Sequence, residues 1–104
     1  MSRIVVLGGG ESGIGAAVLA KVKGHDTFLS DNSTIGEKEK QTLAKYDISY
    51  EEGGHTMDKI LNADEVIKSP GIPDTIPVIQ SILNQGIPVI SEIEFGGRYD
   101  RAKK

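Results

Sequence analysis

An α/β fold, a Rossmann-like doubly wound five-stranded parallel sheet with helices on both faces, is what three features of this sequence predict. Short apolar runs of strand length recur about every 20 residues. Segments with helical spacing lie between them. A glycine-rich turn, Gly8-Gly9-Gly10-Glu11-Ser12-Gly13, joins the first run to the best helix of the chain. Strands alternating with single crossover helices imply a parallel sheet with right-handed connections, covered on both sides.

The first strand is Ile4-Val5-Val6-Leu7. Behind the glycines, Ile14, Ala17, Val18 and Lys21 follow i, i+3, i+4, i+7, the Lys21 stem flanking the apolar stripe, and Gly24 stops the helix after Lys21 and Lys23. Thr27-Phe28-Leu29 is the second strand and Ile48-Ser49-Tyr50 the third. Between them Glu37 to Tyr46 has helical character but few apolar positions. A short helix capped by Thr56 runs through Met57, Ile60 and Leu61 to the fourth strand, Val66-Ile67. Thr75 to Asn84 forms the next helix, with Ile76, Ile79, Ile82 and Leu83 in register, Pro77 tolerated in its first turn and Gly86 beyond its end. Pro88-Val89-Ile90 is the fifth strand.

Composition narrows the function classes. A chain of 104 residues makes one domain, burying about 65% of its unfolded surface. Zero cysteines exclude a disulfide framework, thiolate zinc sites and a cysteine nucleophile. The longest apolar runs, Ile4 to Leu7 and Ala16 to Ala20, are far short of the roughly 20 residues that cross a bilayer. No signal peptide precedes the first strand, so a soluble, cytoplasmic protein without membrane partners is expected. The last seven residues, Arg98 to Lys104, hold four bases and one acid, leaving eight bases against fourteen acids in residues 1–97. An acidic body is a poor nucleic-acid surface.

The glycine turn reads as G-x-G-x-x-G in a strand–turn–helix context. Its first glycine permits the tight turn, its second admits a ligand's phosphates to the backbone, and its third lets helix and strand pack closely. Free N–H groups and the dipole at the helix start favour a pyrophosphate. The Glu11 carboxylate would repel phosphate unless it points to solvent, so its backbone is the useful part. Asp31, in Ser30-Asp31-Asn32-Ser33 at the end of the second strand, is placed beside this loop, where dinucleotide-binding folds use an acid on ribose hydroxyls. Asp-Asn-Ser also starts turns. Ser69-Pro70-Gly71-Ile72-Pro73, after the fourth strand, emerges at the same sheet edge as a stiff ligand wall or a plain rigid turn. Ser91, Glu92 and Glu94 either approach that edge or open a helix whose dipole favours acids. His25 and His55 lack metal-site spacing and read as surface histidines. Neither a catalytic triad nor a lysine nucleophile is recognisable.

The glycine loop with Asp31, the Ser69-Pro70-Gly71-Ile72-Pro73 element and Ser91-Glu92-Ile93-Glu94-Phe95 together resemble the N-terminal domain of the Mur ligases over almost the whole chain. The likeness is strongest to the branch that adds D-glutamate to UDP-N-acetylmuramoyl-L-alanine in peptidoglycan synthesis. It implies a Rossmann-like unit over residues 1–97 that holds the UDP part of that substrate. By position, Gly10, Glu11, Ser12 and Gly13 go to the pyrophosphate and Asp31 and Asn32 to the uridine. Ser69, Pro70 and Gly71 form the loop beside the substrate. The family's Gly-Lys-Ser/Thr phosphate loop is missing from these residues.

The resemblance therefore implies a binding domain of a longer ligase, inactive alone, with no catalytic or metal-binding residue of its own. ATP and Mg²⁺ would be handled by central and C-terminal domains, and residues 98–104 would begin the linker to them. Two other readings of the glycine loop and Asp31 are an NAD(P) or FAD dinucleotide-binding domain and a non-enzymatic nucleotide-sensing module.

Overall fold

The computed structural model describes residues 2–69, 71–73 and 75–99. Pro70 and residues 100–104 lie outside the described residues. In chain order the elements are β1 (Arg3–Leu7), α1 (Glu11–Val22), β2 (Asp26–Asp31), α2 (Glu37–Lys45), β3 (Ser49–Glu52), α3 (Met57–Ile60), β4 (Glu65–Lys68), α4 (Pro77–Asn84), β5 (Val89–Ser91) and α5 (Glu92–Tyr99). All pairings are parallel and the sheet order is β3-β2-β1-β4-β5. The expected doubly wound sheet is present. The chain walks from β1 to β3 in one direction and then returns to the other side of β1 for β4 and β5, which makes the β1/β4 boundary the switch point of the fold.

β1 lies at the centre because it is apolar on both faces: Ile4, Val5, Val6 and Leu7 are all 0% exposed. Successive side chains of a strand point to opposite sides. Ile4 and Val6 accordingly pack with Ile14, Ala17 and Ala20 of α1, Leu43 of α2 and Phe95 of α5. Val5 and Leu7 pack with Ile60 of α3 and with Val78, Ile79 and Ile82 of α4. The alanines of α1 let that helix lie close on the sheet. No helix among the described residues is long and apolar enough to cross a membrane.

Several boundaries differ from the sequence reading, and three of the differences have an identifiable physical cause. Helix α4 begins at Pro77 rather than Thr75, because Ile76 takes the extended backbone that a residue before proline prefers (ψ 151°) and serves as the N-cap. Ile48 is buried but precedes β3: Asp47 adopts a left-handed turn (φ 58°), and the Ile48 amide donates to Leu43 O to close α2. Arg98 is a residue of α5, not of a tail, and its guanidinium donates to both carboxylate oxygens of Glu65, at 3.0 and 2.8 Å. The folded unit thus extends past residue 97.

Candidate functional site

A cleft of ≈ 790 Å³ opens at the carboxyl edge of the sheet, where the loops after β1, β2 and β4 meet. Its floor is the glycine loop. Gly8 turns the chain out of β1 with φ +106°, and a Cβ there would stand 2.6 Å from the Ser69 hydroxyl of the neighbouring loop. Gly13 is the contact between helix and strand: a Cβ would sit 1.9 Å from the Gly8 carbonyl oxygen. Gly10, between them, has nothing within 4 Å of where its Cβ would be. Two of the glycines are thus demanded by packing and the third leaves space.

That space adjoins the amino end of α1. Gly10 is the N-cap and supplies no side-chain cap, and the first helical bond runs from the Ile14 amide to Gly10 O. The amides of Glu11, Ser12 and Gly13 therefore lack intrahelical acceptors. Gly10 and Ser12 border the cleft, Glu11 is exposed, and Gly13 is buried beneath. The loop is held by Asp31. Its Oδ2 accepts from the Gly9 amide at 2.6 Å and its Oδ1 from the Ser33 amide at 2.7 Å. Asp31 both starts the Asp-Asn-Ser turn and braces the neighbouring loop. Asp31, Asn32 and Ser33 form one wall of the cleft.

The opposite wall is the loop after β4. Ser69 continues the β1 ladder through its amide to Leu7 O, the Ile72 amide closes a turn on Ser69 O, and Lys68 Nζ donates to Ile72 O at 2.7 Å. Ser69, Gly71, Ile72 and Pro73 face the cleft, with Ile76, Pro77 and Val78 behind them. Of the residues expected here, Ser69 and Gly71 are in place, while Pro70 lies outside the described residues. Ser91 and Glu94 do not line this cleft. The Ser91 hydroxyl accepts from the Glu94 amide, so these residues open α5, and both border a separate depression of ≈ 300 Å³ beside β5.

His55 is the residue that sequence reasoning missed. It is half-buried and lines the cleft, with Nδ1 2.6 Å from the hydroxyl of Ser30, itself 0% exposed. The cause is the Gly53-Gly54 turn after β3 (φ +78° and +155°), whose amides donate to Ser33 O and Asp31 O and fold the chain back across the end of β2. Ser30, directly after the apolar Phe28-Leu29 pair of an inner strand, was the available signal, since a hydroxyl buried there needs partners. Glu51 joins the cluster. Desolvation tends to raise its carboxyl, but hydrogen bonds from the Thr56 amide, the Thr56 hydroxyl and Ser30, with the Lys59 charge, hold it below the ordinary carboxylate value. Among the described residues no three His, Cys, Asp or Glu converge as metal ligands.

The family model of the MurD N-terminal domain matches residues 3–76. The UDP-N-acetylmuramoylalanine--D-glutamate ligase of Bacteroides thetaiotaomicron is 64% identical over 103 residues, which is 99% of this chain and 23% of that protein. The ligase of the same name from Porphyromonas gingivalis is 58% identical over 99 residues, 95% of this chain and 22% of its own length. The chain therefore spans less than a quarter of these relatives. Among solved structures, UDP-N-acetylmuramate-alanine ligase of Thermotoga maritima shares the fold, with a TM-score of 0.82 at 22% identity, over 100% of this chain and 24% of that one. A pseudomurein peptide ligase type C from Methanothermus fervidus matches with a TM-score of 0.80 at 29% identity, over 96% of this chain and 21% of its own.

Proposed function

We propose, from the premise that this chain belongs to the MurD N-terminal domain family, that its carboxyl-edge cleft holds the UDP end of UDP-N-acetylmuramoyl-L-alanine. The observation that carries this reading is the pairing of an open Gly10 with the uncapped amides of α1. A pyrophosphate there would accept from the Glu11, Ser12 and Gly13 N–H groups and meet the positive end of the helix dipole. The exposed Glu11 contributes backbone only. Asp31 and Asn32 form the wall for the uridine. Each Asp31 oxygen already accepts one amide and retains capacity for a ligand hydroxyl. Ser69 and Gly71 bound the cleft on the side assigned to the rest of the substrate.

In the longer relatives such a domain supplies binding energy and orientation remote from the reacting carbonyl, a real share of catalysis. The reaction we infer for the whole enzyme is ATP-dependent amide-bond formation between D-glutamate and the alanyl carboxylate, in the cytoplasm. This chain has no Gly-Lys-Ser/Thr segment for an ATP phosphate, and its described residues offer no metal cluster. We assign ATP and Mg²⁺ to parts of the enzyme beyond the length that this chain spans.

Titrating UDP, UDP-N-acetylmuramoyl-L-alanine and NAD(H) while following backbone amides tests the reading. Both uridine ligands should shift the amides of Gly10 to Gly13. Robust NAD(H) binding with no response to either uridine ligand would overturn it.

A further inference from the structure

We propose that His55 contacts the ligand directly, presenting Nε2 as a hydrogen-bond acceptor to an O–H or N–H donor on the nucleoside half. The inference rests on the UDP reading above and adds to it a residue and a polarity.

The polarity follows from counting protons. Ser30 Oγ lies 2.9 Å from Glu51 Oε2, 2.6 Å from His55 Nδ1 and 3.4 Å from Gly54 O. A hydroxyl has one proton to donate. Glu51 accepts from the Thr56 amide at 2.7 Å and the Thr56 hydroxyl at 2.6 Å, as an ionised carboxylate does, and such a group can only accept. The Ser30 proton is therefore directed to Glu51, the charged acceptor. Nδ1, at 2.6 Å from the same oxygen, must then carry a proton and donate it; otherwise two lone pairs would face each other. A neutral imidazole has one N–H. With that proton on Nδ1, Nε2 is a lone pair.

The polarity also selects the part of the ligand. Phosphate oxygens are acceptors and would face the Nε2 lone pair without a proton between them. The uncapped amides of α1 suit the phosphates, whereas His55 lines the cleft together with Asp31 and Asn32. Ribose hydroxyls and the uracil N3–H are the donors a uridine offers. The 2.6 Å bond to fully buried Ser30 anchors the ring, so little side-chain freedom remains to be lost on binding.

Two measurements test this. Imidazole ¹⁵N shifts of the free protein at alkaline pH should report the Nδ1–H tautomer; an Nε2–H tautomer would overturn the proposal. Affinities for UDP, 2′-deoxy-UDP, 3′-deoxy-UDP and CDP, whose N3 is an acceptor, should then be compared in wild type, His55→Leu and His55→Gln, with thermal melts to confirm folding. His55→Leu should weaken UDP about 2- to 13-fold and erase its preference over whichever analogue lacks the donor. His55→Gln, whose amide oxygen can replace Nε2, should retain most of that preference. UDP binding unchanged in His55→Leu, or weakened equally with all three analogues, overturns the His55 assignment while leaving the UDP reading standing. No UDP binding by the wild type overturns both.

Discussion

At the amino end of the sheet Arg3 commits its guanidinium to protein partners, whereas at the carboxyl end Gly10 leaves open space beside the uncapped amides of α1. Arg3 donates to Asn62 Oδ1 at 2.8 Å, Asp26 Oδ2 at 3.1 Å and Lys59 O at 2.7 Å, and it stacks 5.5 Å from the centre of the Phe28 ring. Its own amide meets Asp64 at 2.7 Å. Nearby, Arg98 grips Glu65, the first residue of β4. Long side chains close that end. Gly8, Gly9 and Gly10 have none, and the helix behind them starts without a side-chain cap. The contrast teaches where a parallel sheet can bind: at the end where the chain withholds side chains and the switch point parts the loops.

The largest expected effect breaks the open end from within. Gly13→Val places a Cβ 1.9 Å from a backbone oxygen that has no rotamer to move to. Overpacking costs about 1–3 kcal/mol or more, and in a domain this small each kcal/mol lowers Tm by about 4–8 °C. Gly10→Ala is the matched control. It meets nothing within 4 Å, so it should cost at most about 1 kcal/mol through a weaker cap while impairing UDP binding. Thermal melts decide between them. An unchanged midpoint for Gly13→Val would remove the close helix–strand contact from the account.

Arg3→Ala breaks the closed end instead. Losing three side-chain hydrogen bonds and the stack on Phe28 should cost about 1–3 kcal/mol. UDP affinity should stay as in wild type, because no partner of Arg3 lines the cleft. Denaturant titration gives the first quantity and calorimetry the second. A loss of affinity matching the loss of stability would show that the two ends are not separate devices.

Asp31→Ala has a smaller effect and sharpens the open end. Because the carboxylate braces Gly9 and Ser33, the mutation should shift both amides even without ligand and weaken UDP by about 2- to 13-fold, or 0.5–1.5 kcal/mol. Amide spectra of free and saturated protein separate the two effects. Weakened binding with undisturbed free-state amides would mean that Asp31 acts on the ligand alone.

How much of this was legible follows from the range of each interaction. The buried run Ile4 to Leu7 and the spacing of Ile14, Ala17 and Val18 are local patterns, and they located β1 and α1 without any structure. The roles of Gly8 and Gly13 were legible because a strand–turn–helix constrains its own glycines. Asp31 was placed correctly beside the loop, but which amides its oxygens accept depends on a contact 22 residues back. His55 was misread as a surface residue because its position depends on the backbone angles of Gly53 and Gly54, which composition does not encode. Arg98 was misread because its partner is 33 residues distant and a basic run at a chain end resembles a tail.

The smallest effect returns to the closed end and concerns charge. The Arg98 guanidinium, bonded to both oxygens, holds the Glu65 carboxyl below its ordinary value of 4.5 despite some desolvation. A carboxyl whose folded pKa is depressed stabilises the fold above its unfolded pKa and loses that contribution as pH falls through the folded one. Glu65→Gln should therefore be less stable than wild type near neutral pH, and the gap should close on acidification below 4.5. The pair is partly exposed, at 41% for Arg98 and 20% for Glu65, so the expected difference is about 0.2–1 kcal/mol and should shrink in high salt. Denaturation of both proteins across the acid range measures it. A difference that persists undiminished at the acid end would assign the stabilisation to packing of the long side chains, and the closed end would then owe its closure to shape rather than charge.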